Sequence, residues 1–387
     1  MRPIGNLLYR DMPTTVFETM SRLAKAHDAI NLGQGFPDGT GPQDVLAKAA
    51  EAVTTGWNQY PPMLGIPDLR RAVAAHDARF YGLDVDWQRE VMVTSGATEA
   101  IAAALFGLID PGDEVVLIEP LYDAYLPLVR RAGGVPRFVS LRPPDWRVEA
   151  AALAAAMSSK TRAILLNNPL NPAARVFDTA ELSIIAQAAQ ARDAIVIADE
   201  VYEHIVFDGR QPVSMLAQPG MRDRTVKIGS AGKTFSLTGW KVGYVTAAPE
   251  LLAPISKAHQ FLVFTTPPNL QVAVAYGLSQ DDSYFFGLAN EMAAKRDRFI
   301  SGLKRLGLTV LPCEGTYFVN IATTDLDDRA DDVALCTKLT QEAGVAAIPV
   351  SAFTPHQPTQ GVIRFCFAKQ DAVLDAALDR LGRWLAA

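Results

Sequence analysis

Two textures of hydrophobic patterning divide the chain. From Glu90 onward, short continuous apolar runs alternate with longer stretches at helical spacing. Val91–Thr94, Glu114–Glu119, Pro136–Leu141, Ala163–Asn167, Ala194–Asp199 and Thr225–Ile228 read as strands. Runs of this length without alternation suit strands buried on both faces of a parallel sheet. Between them, the stretches from Ser95 to Leu108, Val148 to Met157 and Thr179 to Ala191 read as helices, the last with Leu182, Ile185, Ala186 and Ala189 inward. Trp240 to Ala247 reads as a further, antiparallel strand, and Ala253 to Leu278 as helical around a break at Thr266-Pro267-Pro268. The C-terminal third changes character. A long helix from Ser283 to Leu306 precedes strand-like runs at Tyr317–Ile321, Val345–Val350 and Val362–Phe367, and a last helix over Asp371–Leu385. This pattern predicts a smaller α+β unit.

Before Glu90 the chain is mostly helical. Met1 to Pro13 is expected to be a loose arm, followed by a helix over Phe17–His27. Pro42–Thr54 should bury Val45, Leu46, Ala49 and Val53, and Leu69–Tyr81 should align Leu69, Val73, His76 and Phe80. The loop Asn31-Leu32-Gly33-Gln34-Gly35-Phe36-Pro37-Asp38 and the Pro-rich Asn58-Gln59-Tyr60-Pro61-Pro62 break regular structure.

Candidate chemistry concentrates where strands end. Thr225–Ile228 runs into Gly229-Ser230-Ala231-Gly232-Lys233-Thr234, a lysine among small residues that let a backbone approach a ligand closely. Such a lysine is a fixed charge for phosphate, a nucleophile that forms a Schiff base, or a solvated surface residue. Gly232-Lys233-Thr234 matches the end of a P-loop, but the glycine that motif requires is Lys227 here, and the Walker-B-like strand precedes the loop. The strand ending at Asp199 offers the complement, a carboxylate beside an amine. Pyridoxal phosphate needs that pair: a lysine for its aldehyde and an acid for its ring nitrogen. Ser95-Gly96-Ala97-Thr98 opens a helix after a strand, a natural cradle for phosphate. Arg364 inside an apolar strand needs a buried anion, from a ligand or an internal salt bridge.

With 387 residues, 49% of them hydrophobic, the chain has ample core for about two domains. The net charge of −6 and the absence of a Lys/Arg block argue against nucleic acid or an anionic membrane as partner, and no run approaches a membrane span. The three cysteines are far apart and odd in number, which points to a reducing cytoplasm. The five histidines are scattered, so a metal site has no support.

The stretch Ser230-x-x-Lys233-Thr-Phe-Ser-x-Thr-Gly-Trp-Lys241-Val-Gly-Tyr244, with the Asn31–Asp38 loop, resembles class I/II aminotransferases of fold type I, in the branch of kynurenine, glutamine, methionine and N-succinyldiaminopimelate aminotransferases. The resemblance spans essentially the whole chain. It implies a mainly parallel, doubly wound large domain at 41–282, with 1–40 and 283–387 forming an arm and a small α+β domain. It implies pyridoxal 5′-phosphate as cofactor, held by Lys233, with Asp199 at the ring nitrogen and Tyr202 and Asn171 at its 3-hydroxyl. Tyr122 would stack on the ring. Ala97, Thr98, Ser230, Lys241 and, across a homodimer interface, Tyr60 would meet the phosphate. Gly35, Asn171, Arg364 and Phe17 would meet the substrate. The usual Asn-Pro-His-Asn-Pro-Thr-Gly is Asn168-Pro169-Leu170-Asn171-Pro172-Ala173-Ala174 here, and Lys241 stands where most relatives have arginine.

The expectation is transamination between an amino acid and a 2-oxo acid, with neutral or aromatic donors preferred, because no second arginine falls in the pocket by motif. N-succinyldiaminopimelate transamination and cysteine-conjugate β-elimination are the alternatives within this chemistry. A ligand-sensing regulator would need a DNA-binding module before the domain, and residues 1–40 are too short and insufficiently basic for one.

Overall fold

A computed structural model of the chain describes residues 4–10, 12–326 and 331–387. Its centre is a seven-stranded sheet. Numbering all strands in chain order, β1 is Ile30–Asn31, β2 Val91–Thr94, β3 Glu114–Glu119, β4 Val135–Ser140, β5 Thr161–Asn167, β6 Ile195–Asp199, β7 Thr225–Ser230 and β8 Gly243–Ala247. The remaining strands are β9 (Phe318–Ala322), β10 (Val345–Ala346), β11 (Ile348–Pro349) and β12 (Val362–Cys366).

The large sheet runs in the order β2-β8-β7-β6-β5-β3-β4. β8 runs antiparallel to both its neighbours, the edge strand β2 and β7, and the pairings from β7 through to β4 are all parallel. Alternating residues of each central strand feed two cores. Val116, Ile164 and Val196 point into one, while Val115, Leu165 and Ile197 point into the other. Both faces are covered by helices, which is why these strands read as unbroken apolar runs. The predicted strand beginning at Trp240 is shorter than expected. Thr238–Trp240 is a 3₁₀ turn and Lys241 takes a left-handed backbone (φ 52°), so the strand starts at Gly243.

The C-terminal layer is a three-stranded antiparallel sheet, β11-β12-β9. The expected strand Val345–Val350 divides in two: β10 pairs in parallel with β1, while β11 joins β12. Asp282–Arg305 and Asp371–Leu385 pack on this layer, and Met20 and Leu32 from the N-terminal segment share its core.

Other departures are local. Leu7–Arg10 forms a helical turn in the expected loose arm, of which residues 1–3 and 11 lie outside the described residues. On the helix Gln43–Thr55, Ala52 is buried and Val53 faces outward. The histidines do gather: His76 Nε2 and His204 Nε2 lie 2.6 Å apart beside Glu203. The Glu203 carboxylate is already engaged by Lys227 and Tyr81. Among the described residues, no helix is long and apolar enough to cross a membrane.

Candidate active site

The parallel strands β5, β6 and β7 end together, because Asn167 is in register with Asp199, and Asp199 with Ile228. Ligands of open α/β sheets bind at such carboxyl ends. Here a cavity of about 360 Å³ opens between the large sheet and the C-terminal layer. Of the expected site residues, Phe17, Gly35, Ala97, Thr98, Tyr122, Asn171, Asp199, Tyr202, Ser230, Lys233, Lys241 and Arg364 all line it. Tyr60 does not. It is 80% exposed and packs edge-on against Phe264 in a separate surface groove, away from the cavity of its own chain.

Lys233 sits in a single helical turn, Ala231–Thr234, that follows β7 directly. Its Nζ donates to the Tyr317 hydroxyl at 2.9 Å, and no carboxylate ion-pairs with it among the described residues. Burial lowers its pKa to about 8, and the positive charges of Arg364 and Lys241 push the same way against Asp199. At neutral pH an appreciable fraction of this amine is therefore unprotonated.

Asp199 ends β6 and is buried. Tyr125 Oη donates to its Oδ2 at 2.5 Å, and the Val201 amide donates to Oδ1 at 3.3 Å. Burial nonetheless pushes the carboxyl above its ordinary range, the two donors opposing only in part. A cationic partner inside the cavity would hold it ionised. Tyr202 follows one turn later, and burial raises its phenol as well. Tyr122 lies edge-on to Tyr125 at 5.6 Å between ring centres, and burial moves its phenol up to about 12.

The helix Ala97–Leu108 begins at the cavity rim with its first amides outward. Gly96 precedes it at φ 79°, and a Cβ there would come within 3.3 Å of Lys241 Nζ. Glycine thus admits both the turn and the ammonium. Ser230, at the end of β7, and Lys241 complete a cluster of donors around one end of the cavity, suited to an anion.

Arg364 lines the same cavity from β12 and is fully buried. Nη1 donates to Asn171 Oδ1 at 2.7 Å and Nη2 to the Gly33 carbonyl at 3.0 Å, while Nε has no partner among the described residues. The guanidinium stacks 3.9 Å from the Phe318 ring centre, with Phe353 at 5.0 Å and Phe17 at 5.4 Å. Burial draws its pKa down to about 10. The internal salt bridge considered from sequence is absent among the described residues. Two neutral acceptors and aromatic faces hold the cation in place without neutralising it. Gly35 makes the arrangement possible, since a Cβ there would lie 2.5 Å from the Phe318 ring.

Asn171 spends its carbonyl oxygen on Arg364 and its backbone amide on Asn167 Oδ1 at 2.8 Å. Its side-chain amide remains to donate. Its loop, with Leu170, Ala173 and Ala174 in place of the usual His, Thr and Gly, is fully buried yet keeps this geometry. Sequence reasoning missed Asn167, Tyr125, Tyr317 and Phe318. Tyr125 had one usable signal: it lies one helical turn beyond Tyr122, just past a strand end. Tyr317, in the turn before β9, and Phe318, at its start, are aromatics in an apolar stretch that packing explains equally well, and Asn167 reads only as the close of β5.

The family model for class I and II aminotransferases matches residues 27–381. The chain is 43% identical over 368 residues to the methionine aminotransferase of Escherichia coli, covering 95% of each. It is 37% identical over 397 residues to kynurenine–oxoglutarate transaminase 1 of Homo sapiens, covering 94% of each. The solved structure of N-succinyldiaminopimelate aminotransferase from Mycobacterium tuberculosis superposes with a TM-score of 0.95 at 43% identity, over 98% of this chain and 100% of that one. A match of this extent, on a cavity built around a half-buried amine, a carboxylate and an unneutralised arginine, places the chain in the class I and II aminotransferase family, as a pyridoxal 5′-phosphate-dependent transaminase of fold type I acting on amino and 2-oxo acids.

Proposed function

We propose that this transaminase prefers neutral, bulky amino acids such as methionine, glutamine or aromatic donors, and that Lys233, Asp199 and Tyr202 perform the chemistry. The observation that carries the substrate class is the composition of the cavity wall. Among the described residues Arg364 is its one arginine, and Phe17, Phe36, Tyr122 and Phe318 line the same cavity. A substrate α-carboxylate would answer the Nε of Arg364 and the Asn171 amide. A second carboxylate on the side chain would meet aromatic rings, and burying an unpaired charge is costly. The 43% identity to a methionine aminotransferase supports the same reading.

The residues fit the cofactor. Ala97, Thr98, Ser230 and Lys241 would hold its phosphate, Asp199 its ring nitrogen, Asn171 and Tyr202 its hydroxyl, Tyr122 its face and Lys233 its aldehyde. When bound, pyridoxal phosphate supplies a carbon that links to the substrate nitrogen and a ring that takes up the electron pair released at Cα. The remaining work belongs to the protein. Arg364 orients the substrate by its carboxylate. The amine of Lys233 takes the Cα proton and returns it two atoms on, a task for which a pKa near operating pH is suited. Tyr125 keeps Asp199 aimed at the cavity. The segments 1–40 and 283–387 would act as one unit closing over 41–282.

The same reading takes the working form to be a homodimer in a reducing cytoplasm, with Tyr60 completing the phosphate site of the partner. The exposed ring of Tyr60 and the three free, buried cysteines support it. A fully active monomer in analytical sedimentation would remove the dimer.

A kcat/KM panel with a common 2-oxo acid acceptor tests the substrate class, using methionine, glutamine, phenylalanine, kynurenine, aspartate and N-succinyldiaminopimelate. A neutral donor should lead aspartate by at least about a hundredfold, as expected when one carboxylate has no partner. Aspartate leading the panel would contradict the reading, and the succinylated substrate leading by orders of magnitude would assign that reaction instead.

A further inference from the structure

Tyr317 has no direct share in the cavity wall, yet its hydroxyl is the hydrogen-bond acceptor of the Lys233 amine among the described residues. The residue is completely buried. Its ring stands perpendicular to that of Tyr202, with centres 5.2 Å apart, and Lys233 Nζ lies 5.3 Å from the centre of each ring. The amine therefore rests in a notch between two phenols, with one hydroxyl fixing its direction.

The backbone around Tyr317 is held on every side. Thr316 adopts a left-handed conformation (φ 65°), uncommon for a β-branched residue. Its amide donates to the Ile205 carbonyl at 2.9 Å, and its hydroxyl accepts from the Phe318 amide at 3.2 Å. The Tyr317 carbonyl accepts from the Phe367 amide at 3.0 Å. The turn sends Tyr317 towards the lysine and Phe318 towards Arg364, the guanidinium of which it stacks on. One dipeptide at the start of β9 thus touches both the proposed proton carrier and the proposed carboxylate clamp.

Building on the proposed role of Lys233, we infer that Tyr317 is a positioning residue for proton transfer: its hydroxyl holds the lysine amine in line with the substrate Cα once that amine is free. A bare lysine side chain samples many rotamers, and a misplaced proton carrier slows transfer steeply. The proton itself passes only between Cα, Lys233 Nζ and the carbon two atoms on; Tyr317 neither gains nor loses one.

Tyr317→Phe removes one oxygen and keeps the packed ring. We expect kcat to fall about tenfold, the value of a typical hydrogen bond, with KM little changed. The kinetic isotope effect with α-deuterated substrate should rise, because proton transfer becomes slower relative to the other steps. In the cofactor-free protein, the titration midpoint of Lys233 should fall by about half a unit to one unit, because the ammonium loses an acceptor. A second comparison uses Lys233→Ala supplied with methylamine, in which a diffusing base replaces the lysine. Adding Tyr317→Phe to that background should cost nothing further, since there is no tethered amine to aim. An unchanged isotope effect and midpoint, or the same loss in the amine-rescued background, would overturn the inference and leave Tyr317 as packing. Wild-type turnover in Lys233→Ala alone would instead remove the underlying assignment of Lys233.

Discussion

Lys227, fully buried inside β7, and Lys233, half-buried in the turn that follows the strand, are set up in opposite ways. Lys227 lies within the strand and donates to Asp77 at 2.9 Å and to Glu203 at 3.0 Å. Burial alone would lower its pKa, but the two carboxylates outweigh burial and hold it well above the ordinary value. Lys233, in the turn just beyond the strand, has a phenol as its partner and, among the described residues, no ion pair, so burial prevails and its pKa falls to about 8. Both amines are withdrawn from bulk water, Lys227 the more deeply, but only Lys227 has charge compensation among the described residues. A paired buried lysine is a structural cation, whereas an unpaired one becomes a nucleophile at neutral pH.

Exchanging which lysine is lost breaks this comparison most sharply. Lys233→Ala should lower turnover by at least about a thousandfold and remove the absorbance of lysine-bound cofactor, with the fold intact by circular dichroism. Lys227→Met should do the reverse. The folded fraction keeps its activity per site, while stability falls by about 3–5 kcal/mol, because two buried carboxylates lose their cation. The pH dependence carries the sign. In the wild type, Asp77 and Glu203 are held below their ordinary values, burial being outweighed chiefly by Lys227. Their contribution is present above about pH 4 and is lost as pH falls through their depressed folded values. Without Lys227 burial raises both carboxyls, so the variant should be least stable near neutral pH and regain stability on mild acidification. Denaturant melts of both proteins between pH 5 and pH 8, a window taken from these shifts and about the usual working range, check this. A variant that loses stability in parallel with the wild type would show that Lys227 does not hold the carboxylates.

The same contrast explains what was legible beforehand. Lys233, Asp199, Asn171 and Arg364 announce themselves because each places a polar group where an apolar strand or small-residue turn would otherwise exclude it. The strands of the large sheet were equally plain, since burial on both faces leaves unbroken apolar runs with sharp ends. Lys227 carries the same signal as Arg364, a charge inside an apolar strand that requires a buried partner. Its partner Asp77 sits on a helix distant in sequence, 150 residues away, and pairing at that separation leaves no local trace. The His76–His204 contact spans 128 residues and was hidden for the same reason. Tyr317 was illegible because an aromatic in an apolar stretch is equally well explained by packing, and Tyr125 had only its place one turn beyond Tyr122 to set it apart. Only their hydroxyl partners distinguish them. Val345–Val350 read as one strand because its composition does not record the change of partner between β10 and β11.

The account rests on Lys233 being uncompensated where Lys227 is compensated. The direct measurement is a carbon-13 NMR titration of the cofactor-free protein carrying labelled lysine ε-carbons, with Lys233→Ala and Lys227→Arg assigning the two signals. Lys233 is predicted to titrate at about pH 8, and Lys227 to stay protonated throughout the folded range. A Lys233 midpoint at about 10.4, the value of an ordinary exposed lysine, would contradict the account, as would Lys227 titrating first.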